Sequence, residues 1–222
     1  MIQLSSEWKA ALPDASVGLL IMKNTPNLKD HPGLKFARET LEQDLRSLYG
    51  SLDRKTLRAL PVLAAYDNFY RRFRKSYHVQ LQLESVVLNE KPIFSPSALV
   101  SCMFMAELKT GLLTAAHDFE KLVLPLVADI SIGNETYQRL DGSQQQLKKG
   151  DLFISDQQGI LSSVIYGPDQ RTQIQPETNQ AAFTTYAPPG ILQDQVWEQL
   201  EILESYIRIF APQAERELVV VC

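Results

Sequence analysis

Four cations fall within five positions of this chain: Arg71, Arg72, Arg74 and Lys75. They interleave with Phe69, Tyr70, Phe73 and Tyr77 in the run YDNFYRRFRKSYH, from Tyr66 to His78. Guanidinium and ammonium groups bind phosphates, and aromatic faces stack on unpaired bases, so the run carries the side chains of an RNA contact. Phe69, Phe73 and Tyr77 also recur every fourth residue, the spacing of a helix with a buried aromatic face and a solvated basic one. The two readings are compatible, because the cations point outward in both.

His117 and Asp118 offer a second chemistry: a general base beside its orienting carboxylate. Adjacent residues on a regular element point in different directions, so that role needs a turn. The plainer reading is a loop histidine, with Asp118 capping the helix or turn that follows. A hydrolytic site would bring His117 and Asp118 across a cleft from Asp156 and Tyr166. The histidines His31, His78 and His117 form neither H-x-x-H nor H-E-x-x-H, and Cys102 and Cys222 form no C-x-x-C pair. We therefore expect no metal and no cofactor. Neither G-x-S-x-G nor S-x-x-K with its companion motifs occurs. Without a Walker A or G-x-G-x-x-G loop, nucleotide hydrolysis and dinucleotide binding are disfavoured.

The elements that position these residues read as α+β within one domain spanning residues 1–222. Hydrophobic residues make up 45% of the 222 and charged residues 22%, enough to build a core without disulfides. The net charge is −4, so any contact with a polyanion must be local. The N-terminal segment lacks the pattern of a signal peptide, and no apolar run reaches the roughly 18 residues of a membrane span. A cytoplasmic protein that does not enter membranes is expected; the oligomeric state stays open.

Ser16 to Met22 reads as a strand. A helix follows from Lys35 to Tyr49, with Leu41, Leu45 and Leu48 inward and Glu39, Glu42, Gln43 and Arg46 toward water. A second helix runs from a cap at Asp53 to about Tyr66, with Pro61 breaking or offsetting it. Val79 to Leu88 fits strand or helix. Pro96 suits the first turn of a helix continuing over Ala98 to Leu108 and stopping at Gly111. Strands follow at Leu122 to Ile132, Thr136 to Leu140, Leu152 to Ser155, Ile160 to Tyr166 and Ala181 to Thr185. Asp156 to Gly159 and Tyr166 to Asp169 read as β-turns. A long amphipathic helix, Gln193 to Phe210, carries Val196, Leu200, Leu203 and Ile207 on one stripe.

Two stretches resemble the B3/B4 domain family, the editing module of the phenylalanyl-tRNA synthetase beta subunit. In Leu99 to Leu122, Val100, Gly111, Ala116, Asp118 and Lys121 keep step with the family's helix and turn. In Gly150 to Phe183, Ile154, Asp156, Gly159, Gly167 and Thr178 match its strand-turn-strand. Tyr70, Arg71 or Arg72, Phe73 and Ser85 fit the opening segment of stand-alone members, which favours helix for Val79 to Leu88. The resemblance covers residues 61–210. It implies a central mixed or antiparallel sheet with helices packed on it, and a cleft that in the synthetase hydrolyses mischarged tyrosyl-tRNA.

Several polar positions of that cleft differ here. The family aspartate is Ser101, the asparagine Phe104, the histidine Ala115 and the proline Leu113, while Pro168 replaces a loop glycine. Phenylalanine and alanine cannot make the hydrogen bonds they replace. The resemblance therefore implies a stand-alone module that binds tRNA or another RNA through Arg71, Arg72, Arg74 and Lys75 without catalysis. The alternatives are a trans-editing deacylase using His117, Asp118 and Asp156, and a small-molecule or partner-binding domain that keeps only the fold.

Overall fold

The computed structural model describes residues 2–222. In chain order the elements are β1 (Ile2–Leu4), α1 (Ser6–Ala11), β2 (Ser16–Lys23), α2 (Pro32–Tyr49), α3 (Arg54–Arg58), α4 (Pro61–Arg71), α5 (His78–Leu88) and α6 (Ala98–Thr110). They continue with β3 (Leu113–Asp118), a 3-10 turn (Phe119–Lys121), β4 (Leu126–Ile130), β5 (Thr136–Gln138), β6 (Gln144–Gln146), β7 (Leu152–Asp156) and β8 (Gly159–Ser163). Last come β9 (Gly167–Pro168), β10 (Gln180–Ala187), α7 (Gln193–Phe210) and β11 (Glu215–Val221). The fold is α+β.

Two sheets make the frame. One has four strands in the order β11-β2-β10-β3, all antiparallel. The other has five, β1-β4-β7-β8-β9, with only β1 and β4 parallel. A hairpin of β5 and β6 stands beside them. Strand β2, SVGLLIMK, is buried on both faces over seven of its eight residues. Such an unbroken apolar run suits a central strand covered on both sides. Helix α7 lies on it with Val196, Leu200, Leu203 and Ile207 fully buried, as the stripe predicts. Each such burial is worth roughly 1.5–3 kcal/mol, an upper figure because the unfolded chain is itself partly collapsed. Gly18 lets the helix approach: a Cβ there would stand 2.6 Å from Val196 Cγ1 and 3.0 Å from Leu200 Cδ1.

The helical half departs from the sequence reading in several places. The stretch from Asp53 to Tyr66 is two helices, because Pro61 opens the first turn of α4, where its missing N–H costs nothing. In α2, Leu41 and Leu45 are buried, but Leu48 is 64% exposed. Glu42 is buried instead, accepting from the Ile93 N–H at 2.8 Å and pairing with Arg46. Val79 to Leu88 is helical and belongs to α5. Pro96 stands ahead of α6, whose cap is Ser97. Gly111 ends that helix in the left-handed region, φ +80°, and its N–H returns to the Glu107 carbonyl.

Strand β3 replaces the loop expected around His117. It is an edge strand paired with β10, Ala116 opposite Phe183 and His117 opposite Ala182. The strand expected from Ile160 to Tyr166 ends at Ser163, and Gly167-Pro168 is strand β9 rather than a turn. The turn sits earlier, at Val164 to Tyr166. Buried Asp151 builds it, accepting from Ser163 Oγ at 2.7 Å and from the Ile165 N–H at 3.3 Å.

Candidate functional site: an apolar cleft and a basic patch

Helix α6 and edge strand β3 form one wall of a cleft of about 360 Å³, and β8 with β9 forms another. Val100, Met103 and Phe104 come from α6, Pro168 from β9, and Phe94 and Ile174 from the loops. The Phe94 and Phe104 rings meet at 5.8 Å between centroids. Met103 and Phe104 line the cleft without filling it. Glu107, His78, Ser163 and Tyr186 add polar groups to this mostly apolar surface.

Glu107 stands in the last turn of α6 and is 1% exposed. Its Oε1 accepts from the Thr114 N–H at 2.8 Å, and its Oε2 has no partner. Burial raises its pKa to about 8, against the opposing pull of the Thr114 N–H. The group is therefore a neutral carboxylic acid at pH 7, able to donate a proton.

His78 opens α5 and is also neutral, its pKa pushed down to about 4 by burial. Its Nδ1 lies 3.2 Å from the Tyr70 hydroxyl, which donates its only proton to the Val164 carbonyl at 2.6 Å. The Tyr70 oxygen must then accept from Nδ1–H, which leaves Nε2 as a bare acceptor.

His117 lies elsewhere. It is fully buried, and its ring points from β3 toward β8. Thr172 Oγ1 gives its proton to Asp169 and so accepts from His117 Nδ1 at 2.8 Å. Ser162 Oγ meets Nε2 at 3.3 Å and the Tyr186 hydroxyl at 2.5 Å. Burial, helped by Arg171 and opposed by Asp156, pulls the His117 pKa down to about 4.

Asp118 caps the 3-10 turn through the Glu120 N–H at 3.2 Å and accepts from Thr178 Oγ1 at 2.8 Å. Asp156 closes the β7–β8 hairpin, taking the Gln158 N–H and Arg171 Nη2 at 2.8 Å each and the Val123 N–H at 2.9 Å. Thr172, Asp169 and Arg171 link His117 to Asp156, and none of His117, Asp118 and Asp156 lines the cleft. Among the described residues, no three histidines, cysteines or carboxylates are grouped to hold a metal.

The basic run does not continue as a helix. Helix α4 ends at Arg71, and Arg74 takes a left-handed φ of +58°. Phe69, Phe73 and Tyr77 are nevertheless all buried, and Arg71, Arg72, Arg74 and Lys75 are all exposed. Arg71 is bound to Asp67 at 2.8 Å. The Arg72 guanidinium lies over the Phe69 and Phe73 rings, at 5.5 and 6.0 Å. Lys75 Nζ lies 5.7 Å from the Tyr166 ring centre. Lys148, 75 residues from Phe73 in sequence, brings its Nζ to 3.5 Å from the Phe73 carbonyl. Sequence reasoning missed it, although Lys148-Lys149 before Gly150 was a visible signal.

Among the described residues Arg72, Arg74, Lys75 and Lys148 make no ion pair within 4 Å. Tyr166 adjoins Gly167 of the cleft wall, and Lys75 precedes His78 by three positions. Arg72, Lys75 and Lys148 thus gather around Phe73 and Tyr166, and none of them lines the cleft itself.

The fold and site describe an α+β protein with an apolar cleft and an exposed basic patch. It is similar in fold to an N-terminal fragment of the phenylalanyl-tRNA synthetase beta subunit from Pyrococcus horikoshii, at a TM-score of 0.51 and 10% identity. That likeness covers 100% of this chain and 53% of the other. The phenylalanine–tRNA ligase beta subunit of Mycoplasma genitalium is 31% identical over 67 residues, which are 30% of this chain and 8% of that protein. The chain thus spans about half of the solved fragment and a small part of the curated relative. No family model matches the chain. Among the described residues, no helix is long and apolar enough to cross a membrane.

Proposed function

We propose that this chain is a stand-alone, B3/B4-like module that binds RNA, tRNA foremost, without hydrolysing it. The observation that carries the reading is that Arg72, Lys75 and Lys148, from two distant segments, gather around Phe73 and Tyr166 with no carboxylate partner, next to exposed Arg74. Cations that satisfy no carboxylate are free to take phosphates, and an adjacent aromatic ring offers a face to a base. The resemblance to synthetase beta subunits supports RNA as the polyanion. The non-catalytic part rests on His117, Asp118 and Asp156 being occupied with one another's neighbours rather than with the cleft.

Titration with tRNA and with a short single-stranded RNA at several salt concentrations tests this. Four phosphate contacts on a single strand predict a log–log salt slope of about −3. A slope near zero, or no binding, overturns the RNA reading. Release of amino acid from a panel of mischarged tRNAs overturns the non-catalytic part and favours a trans-editing deacylase.

A further inference from the structure

Two polar groups on the cleft lining bear on what it can hold, Glu107 and His78. Glu107 Oε2 is buried and unpartnered. His78, half-buried, has Nε2 left as an acceptor once Tyr70 has fixed the tautomer, and among the described residues no group bonds it. For Glu107 Oε2, an unsatisfied buried polar atom costs about 1–3 kcal/mol, so folds seldom keep one without an occupant to meet it. One of these groups donates and the other accepts.

The rest of the lining sets the shape of the occupant. Phe94, Phe104, Met103 and Ile174 give apolar and aromatic surface. The volume of about 360 Å³ lies at the small end of ligand cavities, which run from roughly 300 to 1,000 Å³. No lysine or arginine lines it, so a phosphate would enter without a counter-charge. Apolar faces together with a donor and an acceptor on the lining suit a nucleobase.

We propose that the cleft receives one unstacked nucleobase of the bound RNA, its edge on Glu107 and His78 and its faces against the apolar walls. The Glu107 carboxyl donates to a ring nitrogen or carbonyl of the base, and His78 Nε2 accepts from an amino or ring N–H. The strand's phosphates lie on Arg72, Arg74, Lys75 and Lys148. This assignment rests on the RNA-binding reading and names what the cleft adds to it.

An abasic scan of a short single-stranded RNA tests the idea. Removing the base at one position should weaken binding about tenfold, the order of one lost base contact, and leave the salt slope unchanged because every phosphate remains. Glu107→Leu should lower intact RNA to the abasic level and leave abasic RNA unaffected. If that variant does not fold, Met103→Trp, which fills the cleft from one wall, should give the same pattern. Equal binding at every abasic position overturns the cleft assignment and leaves the cation patch standing.

If no RNA binds at all, the patch reading falls, and free ligands decide the cleft. In nitrogen-resolved histidine NMR, adenosine or cytidine should move the His78 Nε2 resonance while ribose does not. Silence from both nucleosides overturns the assignment. So does a response to phenylalanine amide alone, which would make the occupant an amino acid.

Discussion

Asp67 holds two guanidinium groups at once, Arg58 at 2.5 Å and Arg71 at 2.8 Å, from a carboxylate that is only 4% exposed. Arg71 therefore differs from the cations that follow it, although the sequence groups them together. Arg71→Glu would set a second negative charge against a buried carboxylate and should destabilise the fold by a few kcal/mol. Arg72→Glu, Arg74→Glu, Lys75→Glu and Lys148→Glu meet no such partner. Each should leave the melting temperature almost unchanged and make the salt slope for RNA shallower by about 0.7. Chemical unfolding and RNA titration of the five variants separate the two classes.

Stability should change with pH in a way fixed by four buried groups. Glu107 and Asp151 keep their protons in the fold up to about pH 8 and 7, both raised by burial. Unfolded, they release them near pH 4, so their contribution falls as pH rises from there to the folded values. His78 and His117, both lowered to about 4 by burial, work oppositely. Their contribution rises from about pH 4 to 6.5, where the unfolded histidines titrate. Up to about pH 6.5 the two pairs offset each other. Above it only the carboxyl groups act, and stability should fall toward pH 8 by about 1.4 kcal/mol per pH unit for each proton still held. Urea midpoints between pH 5 and 9 measure this.

Glu107→Gln isolates one term of that profile. The amide keeps the shape and a donor but cannot ionise. Normalised to the parent near pH 4, the variant should gain on it steadily from there to about pH 8, with a flatter alkaline limb. Identical limbs would mean that Glu107 is already ionised in the fold.

His117→Ala should cost stability and spare RNA binding. The substitution removes one partner each from buried Thr172 and Ser162, which keep Asp169 and Tyr186, at about 0.5–1.5 kcal/mol per lost hydrogen bond, and leaves a cavity where the ring stood. RNA affinity of the folded variant should equal that of the parent, because the ring does not reach the cleft. A loss of affinity without loss of stability would return His117 to the site.

Gly18→Ala places a Cβ against Val196 and Leu200 of α7. Overpacking of this kind costs about 1–3 kcal/mol. A lowered thermal midpoint is expected, with RNA binding unchanged.

Much of this fold is legible along the chain. Helix α7 was delimited correctly because its apolar stripe runs over five turns between Pro188-Pro189-Gly190 and Pro212. Gly111 was read as a stop from its type alone. Strand β3 was missed because LTAAHD lacks the alternating, β-branched pattern of a strand. Its conformation comes from pairing with β10, a contact more than sixty residues away. Strand β11, LVVV behind three charged residues, was visible but unread.

The site was legible as residue types and opaque as geometry. The cations stood out, but which of them are free depends on Asp67 and Lys148. The run gave no sign that His78, rather than His117, lines the cleft. Glu107 gave no signal at all. It sits on the apolar helix ALVSCMFMAELKT, and its significance lies in the burial that the packed fold imposes.

Strand β11 closes one side of β2, from Glu215 opposite Lys23 to Val221 opposite Gly18, with a bulge between Arg216 and Leu218. It thereby keeps the most apolar strand of the protein from being an edge. The edge shown to solvent in its place is twisted at the bulge and begins with Glu215, Arg216 and Glu217, all exposed. Charges and a bulge of this kind discourage pairing with another sheet. A chain shortened by residues 215–222 would uncover the ladder of β2 itself, a flat row of unpaired amides on Val17 to Met22. The outcome of such a truncation is then decided by self-association between copies as much as by the lost stability of each one.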